Sequence, residues 1–181
     1  MKVNDTIKLI IAIAICESAG IIGSIFTIPS IPTWYAALAK PAINPPAWIF
    51  APVWTILFAL MGAAAFLIWK KREEIASSPA ASRNDKKVKI ALDIFAGQLA
   101  LNVLWSIIFF GLHNPGLAFV NIIALWLVIA WTIILFYKIS PSSSGIWTTE
   151  GRGKLAAYLL LPYIFWVSIA AYLNYAIWVL N

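Results

Sequence analysis

Gln98, Asn102, Trp105 and Phe109 recur at i, i+4, i+7 and i+11, so on a helix they share one face. Two other runs repeat the device: Trp54, Phe58, Met61 and Ala65, and Trp166, Ala170, Leu173 and Ile177. Indole and phenyl faces offer stacking surface to a flat guest, and one or two amides can fix its orientation. Converging, the three faces would form a pocket for a tetrapyrrole or similar planar molecule. Each face alone has another use, since amides tie helices together inside lipid and aromatic stripes pack cores or touch acyl chains.

Other chemistries find little support. His113 is the one histidine and Cys16 the one cysteine, and the acidic residues are scattered, so neither a metal cluster nor an axial haem ligand is evident. No serine or cysteine partners His113 by motif, which leaves hydrolytic catalysis unsupported. Cys16 can form no internal disulfide and reads as a small packing residue. Glu17 lies near the middle of an apolar run, where an ionised carboxylate is costly unless it is paired, so it must face protein or water. It reads either as a proton or ligand site or as a hydrogen-bonded carboxyl between helices.

The elements that must position these residues follow from composition. With 62% hydrophobic and 11% charged residues, the chain is far from the soluble average of roughly a quarter charged. A helix rising about 1.5 Å per residue crosses a hydrocarbon layer of about 30 Å in about 20 residues. Five runs qualify, over 9–28, 47–69, 90–112, 117–137 and 155–180, predicting an all-α integral membrane protein built as a single five-transmembrane-helix bundle over residues 1–181. The first run is of full span length and lacks an A-x-A-like cleavage site, so it reads as a retained span. No internal repeat of useful period appears, which disfavours an inverted-repeat transporter.

Of the 13 Lys and Arg residues, only Lys40 falls on the side of the first and third connectors. Basic residues in short loops stay cytoplasmic, so this segregation predicts a multi-pass cell-membrane protein with a cytoplasmic N-terminus and an external C-terminus. It also accounts for the net charge of +6 without a nucleic-acid partner, since no basic face suits a groove. Trp48, Trp69 and Trp178 lie near span ends and suit an interfacial belt, whereas Trp54, Trp105 and Trp166 lie inside their spans.

The connectors differ in character. "WYAALAKPAINPPAWIF" (34–50) is aromatic and proline-rich; its Asn44-Pro45-Pro46 reads as a capped start to the second span, as Asn114-Pro115 does for the fourth. The third and fourth spans, joined by "LHNPG", must be antiparallel neighbours. By contrast "KKREEIASSPAASRNDKK" and "SPSSSGIWTTEGRG" have the composition of mobile, solvated linkers. Pro162 removes a backbone donor and should bend the fifth span. Ala12, Cys16, Gly20 and Ser24 leave a flat stripe on the first span where another helix can approach.

The strings "WYAALAKPAINPPAWIFAPVWTILFALMG", "NVLWSIIFF" and "LPYIFWVSIAAYLNYAIWVLN" together resemble the tryptophan-rich sensory protein family, also called the translocator proteins or peripheral benzodiazepine receptors. The resemblance extends over nearly the whole chain, leaving the second and fourth connectors unmatched. It implies a compact five-helix bundle, often a homodimer, whose pocket near the first long connector binds porphyrins, sterols and synthetic aromatic ligands. Carried over position by position, the ligand-binding residues would be Tyr35, Trp54, Phe58, Asn102, Trp105, Phe109, Trp166 and Ala170. Sterol-binding relatives carry a C-terminal Leu/Val, Tyr, Lys/Arg motif, whereas Tyr175 is followed only by "AIWVLN", which favours a planar tetrapyrrole.

The expected function is therefore an integral membrane receptor or carrier for porphyrin-type tetrapyrroles, a protoporphyrin IX-like molecule serving as ligand and no cofactor being required. A proline-stiffened connector would cap the pocket at low entropic cost, with Lys40 at its rim to meet a ligand carboxylate. Two alternatives stand beside this: a light-dependent porphyrin-degrading enzyme using Trp54 and Trp166, as in some bacterial relatives, and a transporter or membrane scaffold. The expected partners are a hydrophobic small molecule, membrane lipid and a second copy of the chain.

Overall fold

The structure, a computed structural model, describes residues 4–76, 81–141 and 143–181. Helix α1 (Asp5–Ser30) starts where the Asn4 side chain accepts the Thr6 amide at 3.3 Å. Pro29 and Pro32 each lack a backbone donor, and the chain passes them by widening into a π-helical turn, Ile31–Tyr35. A 3₁₀ turn (Ala47–Ile49) then leads into α2 (Phe50–Ala76). Helix α3 (Ala81–Ser106) also ends in a π-helical turn, Ile107–Gly111. Helix α4 (Pro115–Ile139) is capped by Asn114, whose side chain accepts the Leu117 amide at 2.9 Å. The fifth span is divided into α5 (Arg152–Leu159) and α6 (Leu161–Leu180).

Five of these continuous helical stretches are long and apolar enough to cross a membrane, each reaching beyond the runs expected from the sequence: Asp5–Tyr35, Ala47–Ile75, Asp85–Gly111, Pro115–Ile139 and Arg152–Leu180. Helix α1 packs on α2, α3 on α4, and α4 on α6, while α5 fits between α2 and α4. Met61, Ile68, Ile129, Leu160, Tyr163 and Val167 fill the centre with no accessible surface. Outward-facing side chains are apolar as well, with Ile10, Ile21, Ile25 and Ile28 each more than 60% exposed. A water-facing surface would not be built this way; a lipid-facing one is.

Helices α1 and α2 are in close contact at Gly62, where an added Cβ would lie 2.5 Å from the Ile13 Cα. At Gly20 the contact with α2 is to the Phe58 ring rather than to backbone. The opposite end, bearing the N-terminus, is tied by ion pairs: Lys8 to Glu73 (2.6 Å), Arg72 to Asp85 (2.8 Å), Lys70 to Asp5 and Arg152 to Glu74.

Several local expectations change. Most of "KKREEIASSPAASRNDKK" is helix, with residues 77–80 outside the described set, because its Lys, Arg, Glu and Ala favour helix and its charges pair across helices. Asn44 caps nothing; the second span begins at Pro46 without a side-chain cap, since Asn44 is used elsewhere. Pro162 lies just inside α6, and the backbone break falls at Leu160. The buried stripe of α1 is Ala12, Cys16, Ala19 and Gly23, because a 3.6-residue period drifts off strict fourfold spacing and leaves Gly20 and Ser24 only partly covered.

Candidate functional site

From α2, Trp54 and Phe58 project one turn apart, their rings stacked at 5.5 Å and 30°. Trp54 also meets Tyr163 of α6 edge-on at 6.2 Å. From α3 and its π-helical turn, Trp105 and Phe109 stack at 5.1 Å and 20°. The widened turn places Phe109 and Phe110 side by side, edge to face at 4.9 Å. Trp166 of α6 faces Phe50, with ring centres 6.0 Å apart.

Amides hold these rings in place. Asn102 donates through Nδ2 to the Tyr163 hydroxyl at 3.1 Å, and Trp105 donates through Nε1 to Asn174 Oδ1 at 2.9 Å. Asn174 in turn donates to the Pro115 carbonyl at 2.7 Å, fixing α6 to the start of α4. Each bond consumes a polar group that would otherwise be stranded at membrane depth.

Over them lies the segment following α1. Tyr35 is buried, donates its hydroxyl to Asn44 Oδ1 at 3.0 Å, and packs on Phe110 at 5.8 Å. Ser30, the last residue of α1, donates to the Phe110 carbonyl at 2.8 Å, so the end of α1 is bonded to the second π-helical turn. Trp34 stacks on His113 at 4.4 Å and 15°, the histidine held at φ 53° in the turn between α3 and α4. These contacts make the connector a fixed cover.

The enclosed space is a cavity of about 340 Å³, within the usual range for small-molecule sites. Tyr35, Trp54, Phe58, Asn102, Trp105, Phe109, Trp166 and Ala170 all line it. Leu173 and Ile177 do so too, whereas Met61 and Gln98 are fully buried in the bundle. The Gln98 amide has no hydrogen-bond partner there, and neither has the buried Trp166 Nε1 beside the cavity. Lys40 is not at the rim: its ammonium donates to the Ala36 and Leu38 carbonyls and lies 4.7 Å from the centre of the Tyr35 ring.

Sequence reasoning missed the wall supplied by α1. Gly20, Gly23, Ser24 and Thr27 line the cavity, as do Phe50, Phe110 and Asn174. On one side the lining reaches exposed residues of both α1 and α2, namely Ile21, Ile28, Ala47, Ala51 and Thr55, so the cavity opens through a slit in the flank of the bundle. Among the described residues no group of three His, Cys, Asp or Glu could hold a metal.

The sequence profile of the TspO/MBR family matches residues 12–179, which include every cavity residue named above. The chain belongs to the TspO/MBR family. It is 39% identical over 177 residues to the tryptophan-rich protein TspO of Archaeoglobus fulgidus, covering 98% of this chain and 99% of that protein. The translocator protein of Sus scrofa is 37% identical over 145 residues, or 80% of this chain and 73% of its own length. The tryptophan-rich sensory protein of Cereibacter sphaeroides is 32% identical over 148 residues, or 82% and 77% respectively. For this TspO/MBR member the similarity thus spans all five membrane helices and the connector that covers the cavity.

Proposed function

We propose that this chain is a membrane binding protein for porphyrin-type tetrapyrroles and related hydrophobic aromatic ligands, held inside the bundle beneath the segment 31–46. The observation that carries the reading is the convergence of Trp54, Trp105 and Trp166, with Asn102, on one cavity of about 340 Å³. Flat rings gain dispersion and offset stacking between indoles. Because the cavity opens sideways, a macrocycle larger than its enclosed part can extend into the slit.

Related proteins are named for sensing and for translocation, and both roles begin with capture of a ligand. The segregation of basic residues supports a cytoplasmic N-terminus with the covering connector outside. A homodimer is the proposed assembly, in keeping with the resemblance read from the sequence.

Protoporphyrin IX titrated into the purified protein should quench part of the emission of its 10 tryptophans. Trp54→Ala and Trp166→Ala should each weaken binding at least tenfold, with circular dichroism confirming the helical bundle. Unchanged emission, or equal affinity in all three proteins, would refute the reading. Illumination of the same samples separates binding from degradation, since only catalysis yields a new absorbing product faster than free porphyrin in detergent.

A further inference from the structure

We propose that Glu17 turns the inner end of the slit into a subsite for a cationic or N–H-bearing nitrogen, so that the edge of a guest seated at this place is an amine or N–H edge and any carboxylate lies elsewhere. This rests on the aromatic-ligand reading above and adds to it the charge of the ligand's edge.

Glu17 lies 12 residues from Asp5 and 13 from Ser30 within α1, about 18–20 Å from either end at about 1.5 Å per residue. It is the one charged side chain that lines the cavity. With Ile21, Ser24 and Ile28 it follows one face of α1, and it occupies the innermost position of that row. The acidic residues Asp5, Glu73, Glu74 and Asp85 are each met by a lysine or arginine at the N-terminal end. Glu17 has no ion pair or hydrogen bond to any described residue.

Other polar groups at the slit are already spent. Ser24 donates to the Ile21 carbonyl at 2.7 Å, Thr27 to Gly23 at 3.1 Å, and Thr55 to Ala51 at 3.0 Å. A carboxylate at membrane depth carries a large solvation debt unless a cation or donor meets it. The described residues supply none, which leaves the place open to a complementary group on the guest.

The surroundings suit an ammonium in particular. The Phe58 ring abuts Gly20, one turn along α1 from Glu17, and it stacks on Trp54. A carboxylate that lines one cavity with two aromatic rings attracts a cation by charge, to which the ring quadrupoles add, and both effects strengthen away from water. A guest carboxylate at this place would meet like charge, and Lys40, already engaged by the connector, does not line the cavity to compensate.

The test uses matched probes with the full chain in phosphatidylcholine nanodiscs. One pair is a porphyrin bearing an alkylammonium group and the same porphyrin bearing an alcohol; the other is naphthylethylamine and naphthylethanol. Affinities are corrected for lipid partitioning measured in empty discs. The unaltered protein should bind each amine at least tenfold more tightly than its alcohol. Glu17→Gln should abolish that preference, and Glu17→Asp should keep part of it. A hydrophobic carbodiimide should label Glu17, as read by peptide mass, and the amines but not the alcohols should block the labelling, which gives a readout even where a variant does not fold. Equal binding of amine and alcohol by the unaltered protein, or a preference surviving in Glu17→Gln, overturns the inference alone. Failure of all four probes to bind overturns the aromatic pocket itself.

Discussion

Gly20 contributes to the cavity by having no side chain. A Cβ there would come 2.6 Å from Phe58 Cε2, so Gly20→Ala must push a ring, whereas at Gly62 it would meet the Ile13 backbone at 2.5 and 2.8 Å. Rings can turn and helices cannot easily retreat, so the two substitutions should fail differently. Gly62→Ala is expected to cost about 1–3 kcal/mol through overpacking and to lower the melting temperature in detergent. Gly20→Ala should melt closer to the unaltered protein yet bind porphyrin several-fold more weakly, because Phe58 is displaced. Equal losses of affinity from both would contradict this division. The same residues explain what the sequence concealed. Aromatic stripes announce themselves by type and period, but a wall made of missing bulk does not, and α1 was read as a packing face when half of that face borders the cavity. Glu17 was conspicuous in the sequence, yet only the packing shows that no group among the described residues meets it.

Among the elements, the two π-helical turns decide the cavity's upper boundary. Pro29 and Pro32 flank the start of the first turn, but no comparable residue marks Ile107–Gly111, so the second turn was invisible to pattern reading. Asn44 shows a local rule overridden by tertiary structure: a residue suited to capping α2 instead accepts the Tyr35 hydroxyl and draws the cover down. Tyr35→Phe keeps the ring on Phe109 and Phe110 but loses that bond, worth about 1 kcal/mol. The expected outcome in stopped-flow fluorescence is porphyrin release roughly five times faster, with a nearly unchanged association rate. An effect on association alone would mean that the connector is not the cover.

For the whole molecule, the five spans were legible because hydrophobic length is read almost directly, whereas their ends were not. The polar residues that mark a loop on composition, Lys70 to Glu74 above all, extend α2 and exchange ion pairs with α1, α3 and α5. One end of the bundle is therefore fastened by charge, and the cavity end by aromatic contacts and neutral hydrogen bonds. Raising the ionic strength from 0.05 to about 1 M shortens the screening length from over 10 Å to about 3 Å. Amide hydrogen exchange should then quicken at residues 70–76 while the amides near Trp105 and Asn174 keep their rates; a uniform change would disprove that split. The slit on the flank sets a different kind of rule. A guest that enters from the bilayer is counted by the protein in moles per mole of lipid, not per litre of water. Diluting the protein with additional membrane should weaken apparent affinity in proportion, while affinity expressed as mole fraction stays constant and the oiliest ligands gain most from their reservoir.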